Sequence, residues 1–182
     1  MNVLFNWDEL NLIRQEATVL WRGKPPDRKK REAFCDWLEF VLCLVYAYGW
    51  QDAEKVIGPV EVEWNHDTDV VNLEIAGKTF RDRILTEDTA EEIVRLIDTE
   101  AHRDYNTGIF NAAMESGIPN LRKCWYTMND DRVRDTHDYL EGMVVGLNDR
   151  FYTYDGDSAR FPGDFDDPAN NVNCRCSVAI VT

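Results

Sequence analysis

The sequence predicts an α+β protein in which two long helices and a β-hairpin precede a small β-rich carboxy-terminal module. Three patterns predict this class. Apolar residues recur at helical spacing over two long segments, they alternate with polar residues in a short segment between them, and they then form short runs separated by Asp, Asn, Gly and Pro. We therefore expect a helical region with a hairpin over residues 1–86 and the β-rich module over residues 87–182.

The first long helix is predicted to begin after Pro25-Pro26-Asp27 and to end near Gly49. Beyond residue 40 its apolar side chains spread around the helix, so one buried face cannot accommodate them all. Phe40, Leu44 and Tyr48 are therefore expected to contact a partner protein. The alternative is that the neighbouring hairpin covers these three side chains.

That hairpin is predicted over residues 59–64 and 70–75, because apolar and polar residues alternate on both sides of a polar loop. Alternation of this kind is typical of a half-exposed pair of antiparallel strands.

The second long helix is predicted from a capping pattern, Thr89 followed three residues later by Glu92, and from an apolar stripe that runs to about Ser116. Its other face carries polar residues, among them His102, Arg103 and Asn106. A polar helix face is usually exposed to solvent, and we expect that here.

After the second helix, the segments KCWYTM, MVVGL, RFYTY and NCRCSVAIV predict short strands joined by long loops. Because these segments are short and are separated by Asp, Asn, Gly and Pro, we expect a small β-rich module with long loops.

Composition limits the function. With 20 Lys and Arg against 34 Asp and Glu, the net charge of −14 disfavours a broad electrostatic contact with DNA, although a local contact stays open. The longest apolar run, residues 40–50, is too short to cross a bilayer, so we expect no membrane contact. The amino terminus lacks the pattern of a secretory signal, and we expect synthesis in the cytoplasm.

The terminal segment places Cys174 and Cys176 two positions apart, so that both side chains point to one side of a strand. A disulfide, a buried apolar face and a metal site are the possible reasons. Without an export signal, the five cysteines favour free thiols or metal ligands over a disulfide framework. Cys124, His137, Cys174 and Cys176 together form a candidate zinc set, with a buried inner face as the simpler interpretation.

The loops also contain many aspartates, which could bind a hard cation beside His137 in a metal-dependent hydrolase or an injected effector. Loop aspartates more often accept hydrogen bonds from nearby backbone amides, and no EF-hand loop is present. We therefore assign no catalytic residue from these acids.

Five pieces in one order, over about residues 95–181, resemble the phage Mu F-like family of head morphogenesis or minor capsid proteins. They are an E-x-x-R-x-x-N helix, a K-x-W strand, a D-x-R-V-R-x-x-H segment, a P-G-D loop and an N-C-R-C strand. The structural motif residues on these pieces are Glu100, Arg103, Asn106, Trp125, Asp130, Arg132, Arg134, His137, Asn173 and Arg175.

The resemblance implies a minor head protein that is not an enzyme. It implies the portal protein and the major capsid or scaffold protein as partners, and the capsid interior or portal vertex as the location after assembly in the host cytoplasm. We further expect Arg103, Arg132 and Arg134 to pair with Glu100, Asp130 or Asp135 in a buried or half-buried network that holds the module to the helix. Structural zinc is the only cofactor to be considered.

Overall fold

The computed structural model of the protein describes residues 8–61 and 77–182. The helices in this part of the chain are α1 (Asp8–Leu20), α2 (Arg28–Ile57), α3 (Phe80–Thr86), α4 (Ala90–Glu115), α5 (Asp135–Asp138) and α6 (Pro168–Asn171). The strands are β1 (Arg122–Tyr126), β2 (Val144–Gly146), β3 (Phe151–Tyr152), β4 (Ser158–Ala159) and β5 (Ser177–Val181). The α+β class is confirmed, with α2 and α4 as the two long helices. The predicted hairpin lies largely outside the described residues.

Helix α2 begins where the sequence predicts, because the Asp27 side chain accepts a hydrogen bond from the backbone amide of Lys30. The predicted end near Gly49 is wrong: the helix continues to Ile57 and ends at Gly58, whose positive φ suits glycine. A glycine inside a helix costs about 1 kcal/mol relative to alanine, which is why Gly49 looked like an end. Packing against α4 explains why it does not act as one.

Helices α2 and α4 approach each other so closely that only glycine fits at two positions. A Cβ atom on Gly49 would lie 2.0 Å from the carbonyl oxygen of Tyr105, and one on Gly108 would lie 2.1 Å from that of Tyr46. The backbones therefore touch at this crossing. It places one face of α4 against α2 and leaves its other face for the β-rich module.

Two small antiparallel sheets form the module. Strand β1 lies in the centre of the first, between β2 and β5, and β3 pairs with β4 in the second. The β1–β5 register pairs Trp125 with Val178 and Lys123 with Ile180. These four side chains are buried, so this face of the sheet points into the protein.

One hydrophobic core joins the two halves of the chain. It includes Leu10 of α1, Leu42 of α2 and Ile97 of α4, and it extends to Trp125 and Ile180 of the sheet. By length and composition alone, α2 passes as a helix that could cross a membrane, a test that core helices of soluble proteins also pass.

Candidate functional site

The polar face of α4 is buried against the terminal strand. Asn106 is 0% exposed, and its side-chain oxygen accepts a hydrogen bond of 2.9 Å from the backbone amide of Val178. Its side-chain nitrogen donates to the carbonyl oxygen of Cys176 at 3.2 Å. The ring Nε2 of His102 contacts the same carbonyl oxygen. These residues therefore attach α4 to the segment that contains the two cysteines.

The default expectation of solvent exposure is wrong for His102 and Asn106, which are buried, whereas the burial of Arg103 agrees with the buried or half-buried network expected for it. Helix α4 lies between α2 and the β-rich module, so both of its faces are covered. Because burial disfavours the charged form, the pKa of His102 is lowered, which suits a neutral ring that donates to a carbonyl group.

A second buried cluster on α4 contains an arginine and two acids. Arg103 Nη2 lies 2.7 Å from Glu100 Oε2 and 3.5 Å from Asp104 Oδ1. Burial raises the pKa of Asp104 well above its ordinary value, and the charge of Glu100 adds to this effect. Burial also raises the pKa of Glu100, and the charge of Arg103 opposes both shifts. The shorter distance makes Glu100 the closer ion-pair partner of Arg103. The predicted pairing of Arg103 with Glu100 is present.

The P-G-D loop packs directly on Arg103. Gly163 has a φ of +96°, and a Cβ atom at this position would lie 3.0 Å from the Cβ and Cγ atoms of Arg103. Asp164, the next residue, accepts two hydrogen bonds of 2.8 Å from the guanidinium group of Arg160. Glycine and aspartate at these positions thus allow the loop to close over the helix.

Strand β1 contributes a buried lysine beside Trp125. Lys123 is 0% exposed; its Nζ donates to the carbonyl oxygen of Leu147 at 2.6 Å and lies 4.8 Å from the ring centre of Phe110. Burial lowers the pKa of Lys123 to about 8. The K-x-W strand therefore points both of its motif side chains into the protein.

The loop after β1 is held by Arg175, which was predicted as a motif residue but not as a partner of Asp130. Its two terminal nitrogens lie 2.7 and 2.5 Å from the two carboxylate oxygens of Asp130. The hydrogen bonds from Arg175 lower the pKa of Asp130 to about 2. Arg132 is exposed and 3.7 Å from the same carboxylate, and Arg134 donates to the carbonyl oxygen of Val172. The expected network is thus built partly from other pairs.

His137 lies in α5 and is 1% exposed. Its ring stacks on Phe165 with centroids 4.9 Å apart, and Trp125 meets it edge-on. Its Nδ1 lies 3.7 Å from the sulfur of Cys174 and 3.6 Å from that of Cys176. The structure therefore brings together three residues of the predicted zinc set.

Cys124 is buried but does not belong to this cluster. It alternates with Trp125 on β1, so it points to the other face of the sheet, and its sulfur lies 3.7 Å from the carbonyl oxygen of Trp125. Its place in the predicted metal set is wrong for this reason. All five cysteines are free thiols.

The two clustered thiols differ in acidity. A hydrogen bond from the Cys176 thiol, together with the contact to His137, holds the pKa of Cys174 well below its ordinary value. The same sulfur–sulfur contact and burial raise the pKa of Cys176. Asn173 precedes the pair with a φ of 57°, a conformation that asparagine tolerates better than most residues. It directs the chain from α6 into the cysteine segment.

The site residues that sequence reasoning missed are Asp104 and Lys123, together with His102 on the face expected to be exposed. Lys123 belongs to the K-x-W motif and lies two positions before Trp125, so the strand face that both share could have indicated its burial. Asp104 had no such pattern, because its burial depends on what packs on α4.

The predicted partner residues on α2 differ in exposure. Phe40 is 61% exposed, whereas Leu44 is half-buried and Tyr48 packs against the core. Phe40 is thus the accessible member of this stripe within the described residues.

The geometry around His137 leaves little room for a substrate. The cavity beside it measures about 10 Å³, roughly the room that one water molecule needs. Two of the loop acids are engaged elsewhere, since Asp130 pairs with Arg175 and Asp164 pairs with Arg160. The arrangement is suited to holding loops together and to binding a small ion.

Comparison with known proteins gives one family. The profile described as "Phage Mu protein F like protein" matches residues 72–179, which is more than half of the chain. No solved structure gives a significant match.

Two curated relatives match over part of their length. An NAD(+)–arginine ADP-ribosyltransferase EFV of Enterococcus faecalis is 30% identical over 125 residues, which is 64% of this chain and 25% of that protein. Minor head protein GP7 of Bacillus phage SPP1 is 29% identical over 84 residues, which is 46% of this chain and 27% of that protein. The chain thus spans about a quarter of the length of these relatives.

Proposed function

Because the chain belongs to the family of phage Mu F-like proteins, we propose that it is a minor head protein of a tailed bacteriophage or prophage. Its similarity to a relative named as a minor head protein supports this role. In this proposal the protein acts through contacts with the portal protein and with the major capsid or scaffold protein. It is made in the host cytoplasm and resides in the capsid interior or at the portal vertex, with at most local contact with packaged DNA.

The observation that best supports a structural role is the placement of the motif residues. Glu100, Arg103, Asn106 and His137 are all buried, where they hold α4, the loops and the terminal strand together. A residue that acts on a substrate must be reachable by that substrate. Buried motif residues are therefore better suited to fixing the shape of a module that other proteins bind.

A non-enzymatic role is part of the proposal. The hydrolase or injected effector considered for His137 requires an imidazole that a substrate and a loop acid can reach, and the small cavity beside this ring speaks against it. The match to the named ADP-ribosyltransferase covers a quarter of that relative, so its activity is not transferred to this chain.

The surface proposed to contact the portal is centred on Phe40. Phe40 lies on a long helix and is 61% exposed. A partner that covers it buries apolar surface, and this burial favours association. Tyr152 offers a matched control, because it is an aromatic residue that is 60% exposed but belongs to the β-rich module.

The test is incorporation into heads. The phage or prophage that encodes the chain is complemented with the wild type, Phe40→Asp or Tyr152→Asp, and the protein in purified, DNA-filled heads is quantified against the portal protein. We expect the wild type and Y152D to be incorporated and F40D to fall at least tenfold, with far-UV circular dichroism unchanged.

Two results would contradict the proposal at different levels. If the wild type is absent from heads, the head role is wrong. If F40D is incorporated as well as Y152D, the head role stands and the Phe40 surface is wrong.

His137→Ala separates the structural role from the enzyme alternative. Loss of turnover with a normal fold would favour catalysis, whereas loss of the fold or of incorporation into heads favours the structural role.

A further inference from the structure

Three metal-binding atoms converge inside the β-rich module. His137 Nδ1, Cys174 Sγ and Cys176 Sγ all lie within 4.8 Å of one another, and all three residues are buried. The imidazole comes from α5 and the two sulfurs from the extended segment before β5, so the fold brings together parts of the chain that are 37 and 39 residues apart.

Hydrogen bonding alone accounts for only part of this arrangement. A neutral imidazole has one acceptor nitrogen with one lone pair in the ring plane, which satisfies one thiol donor. Here both sulfurs lie at nearly the same distance from Nδ1, 3.7 Å for Cys174 and 3.6 Å for Cys176. A single centre that all three atoms face explains the convergence more fully.

The distances agree with a tetrahedral metal. Zinc binds thiolate sulfur at about 2.3 Å and imidazole nitrogen at about 2.0–2.1 Å, so two such ligands at a tetrahedral angle are about 3.6 Å apart. The two sulfur–nitrogen distances lie within 0.1 Å of that value. The two sulfurs lie within 4.8 Å of each other. Two zinc-bound thiolates are about 3.8 Å apart, so coordination requires the sulfurs to approach by at most about 1 Å.

We propose that His137, Cys174 and Cys176 form a binding site for zinc or a similar borderline-soft divalent cation. A water molecule in the adjoining cavity supplies the fourth ligand. Both cysteines bind the ion as thiolates, and any thiol proton present before binding is released to solvent. Two thiolates and a neutral imidazole then balance the charge of the ion. The site does not depend on the head role proposed for the protein.

The metal would stabilise the junction between α5 and the terminal segment. His102 and Asn106 already attach this segment to α4 through the Cys176 carbonyl group and the Val178 amide. A metal would attach it to α5 from the other side. The cysteine segment would then be fixed on both sides by short-range bonds.

The first test measures metal on the whole wild-type protein. The protein is purified under reducing conditions from cells grown in zinc-supplemented medium. Its zinc content is measured by inductively coupled plasma mass spectrometry. We expect about one zinc per chain. After the zinc is removed and replaced by cobalt(II), we expect sulfur-to-cobalt charge-transfer absorption in the near ultraviolet and tetrahedral d–d bands in the visible range. Substoichiometric zinc with no such absorption would overturn the proposal.

The second test identifies the ligands. Cys124→Ser is the matched control, because Cys124 is a buried cysteine of the same module that points away from the cluster. We expect C124S to keep one metal per chain, and C174S or C176S to lose it or to bind it at least tenfold more weakly. Cobalt absorption that depends on Cys124 and persists in C176S would place the metal elsewhere and refute the site. Circular dichroism monitors the folding of each variant. If a variant does not fold, the zinc content and the cobalt absorption of the wild-type protein test the metal site.

Discussion

Asn106 occupies the place that a neighbouring strand would take at the free edge of β5. Its side-chain amide has the same donor and acceptor as a backbone peptide group, and it bonds to the carbonyl of Cys176 and the amide of Val178. Without Asn106 the Val178 amide would lose this buried bond, which is costly, whereas the Cys176 carbonyl oxygen would keep its contact with His102. One residue of α4 thus terminates the sheet and attaches it to the helix.

This role predicts a large effect of Asn106→Leu. The leucine has a similar size but cannot pair with Val178, so we expect the free energy of unfolding to fall by about 2–4 kcal/mol. The control is Asn111→Leu, because Asn111 is half-buried on the same helix and makes one 3.2 Å bond to the Tyr46 hydroxyl. We expect that change to cost about 1 kcal/mol or less. Urea unfolding at pH 7 measures both, and equal losses would contradict the assigned role.

Lys123 gives the second prediction at this scale, a dependence of stability on pH. Its pKa is about 8 in the folded protein, whereas the ordinary lysine pKa of 10.5 applies to the unfolded chain. Between these values the unfolded chain binds more protons, so the free energy of unfolding rises with pH, by up to about 3 kcal/mol in total. Below pH 8 the residue adds no slope.

Lys123→Met removes the titrating group and keeps an unbranched side chain of similar length. We expect the difference in free energy of unfolding, wild type minus K123M, to increase from pH 8 to pH 10.5 and to stay flat from pH 6 to pH 7.5. Urea unfolding at each pH measures the difference. Parallel profiles above pH 8 would show that the lysine keeps its ordinary pKa in the folded protein.

At the scale of secondary-structure elements, the crossing of α2 and α4 organises the fold. Gly49 and Gly108 let the two backbones touch, which packs one face of α4 closely against α2. The remaining face of α4 carries the polar motif residues into the β-rich module. A wider crossing would separate the helices and expose part of the shared core.

Gly108→Ala tests this contact, because the substitution would stabilise an exposed helix but is expected to destabilise this helix crossing. In an exposed helix, replacing glycine by alanine stabilises by about 1 kcal/mol. Here the added methyl group would lie 2.1 Å from the Tyr46 carbonyl oxygen, so we expect a net loss of at least about 2 kcal/mol.

Thermal and urea unfolding measure this loss of stability. The control is Met114→Ala, at an exposed position of the same helix. We expect it to change the free energy of unfolding by less than about 1 kcal/mol. A gain in stability for G108A would mean that the helices are not in contact at this position.

At the scale of the whole molecule, the hydrophobic core is continuous from α1 to β5. The division into residues 1–86 and 87–182 remains a prediction about domains. The core that the two parts share indicates that they unfold together. Small proteins with one core usually unfold in a single cooperative transition.

Hydrogen exchange during urea unfolding tests this cooperativity on the full chain. We expect the amides of α2, α4 and β1 to lose protection at the same urea concentration, and the transition measured by circular dichroism to coincide with it. Separate midpoints for α2 and β1 would show that the two parts are independent units.

The sequence predicted most of the elements, because their determinants are local. Asp27 and Thr89 cap the two long helices as expected. Strands β1, β2, β3 and β5 coincide with the predicted segments, whereas β4 (Ser158–Ala159) lies outside all of them. The end of α2 was missed because a glycine inside a helix and a glycine at its end look alike in sequence. The packing against Tyr105 distinguishes them, and that contact is long-range.

The sequence by itself determined the family, the two long helices, four of the strands and many of the residues that hold the module together. These properties depend on composition, periodicity and short motifs, which can be read along the chain. Only the tertiary structure decided that the polar face of α4 is buried, that Arg175 and not Arg132 or Arg134 pairs closely with Asp130, and that Cys124 stays apart while His137, Cys174 and Cys176 meet. Burial and pairing depend on which surfaces the fold brings into contact, and residues far apart in the chain supply those surfaces.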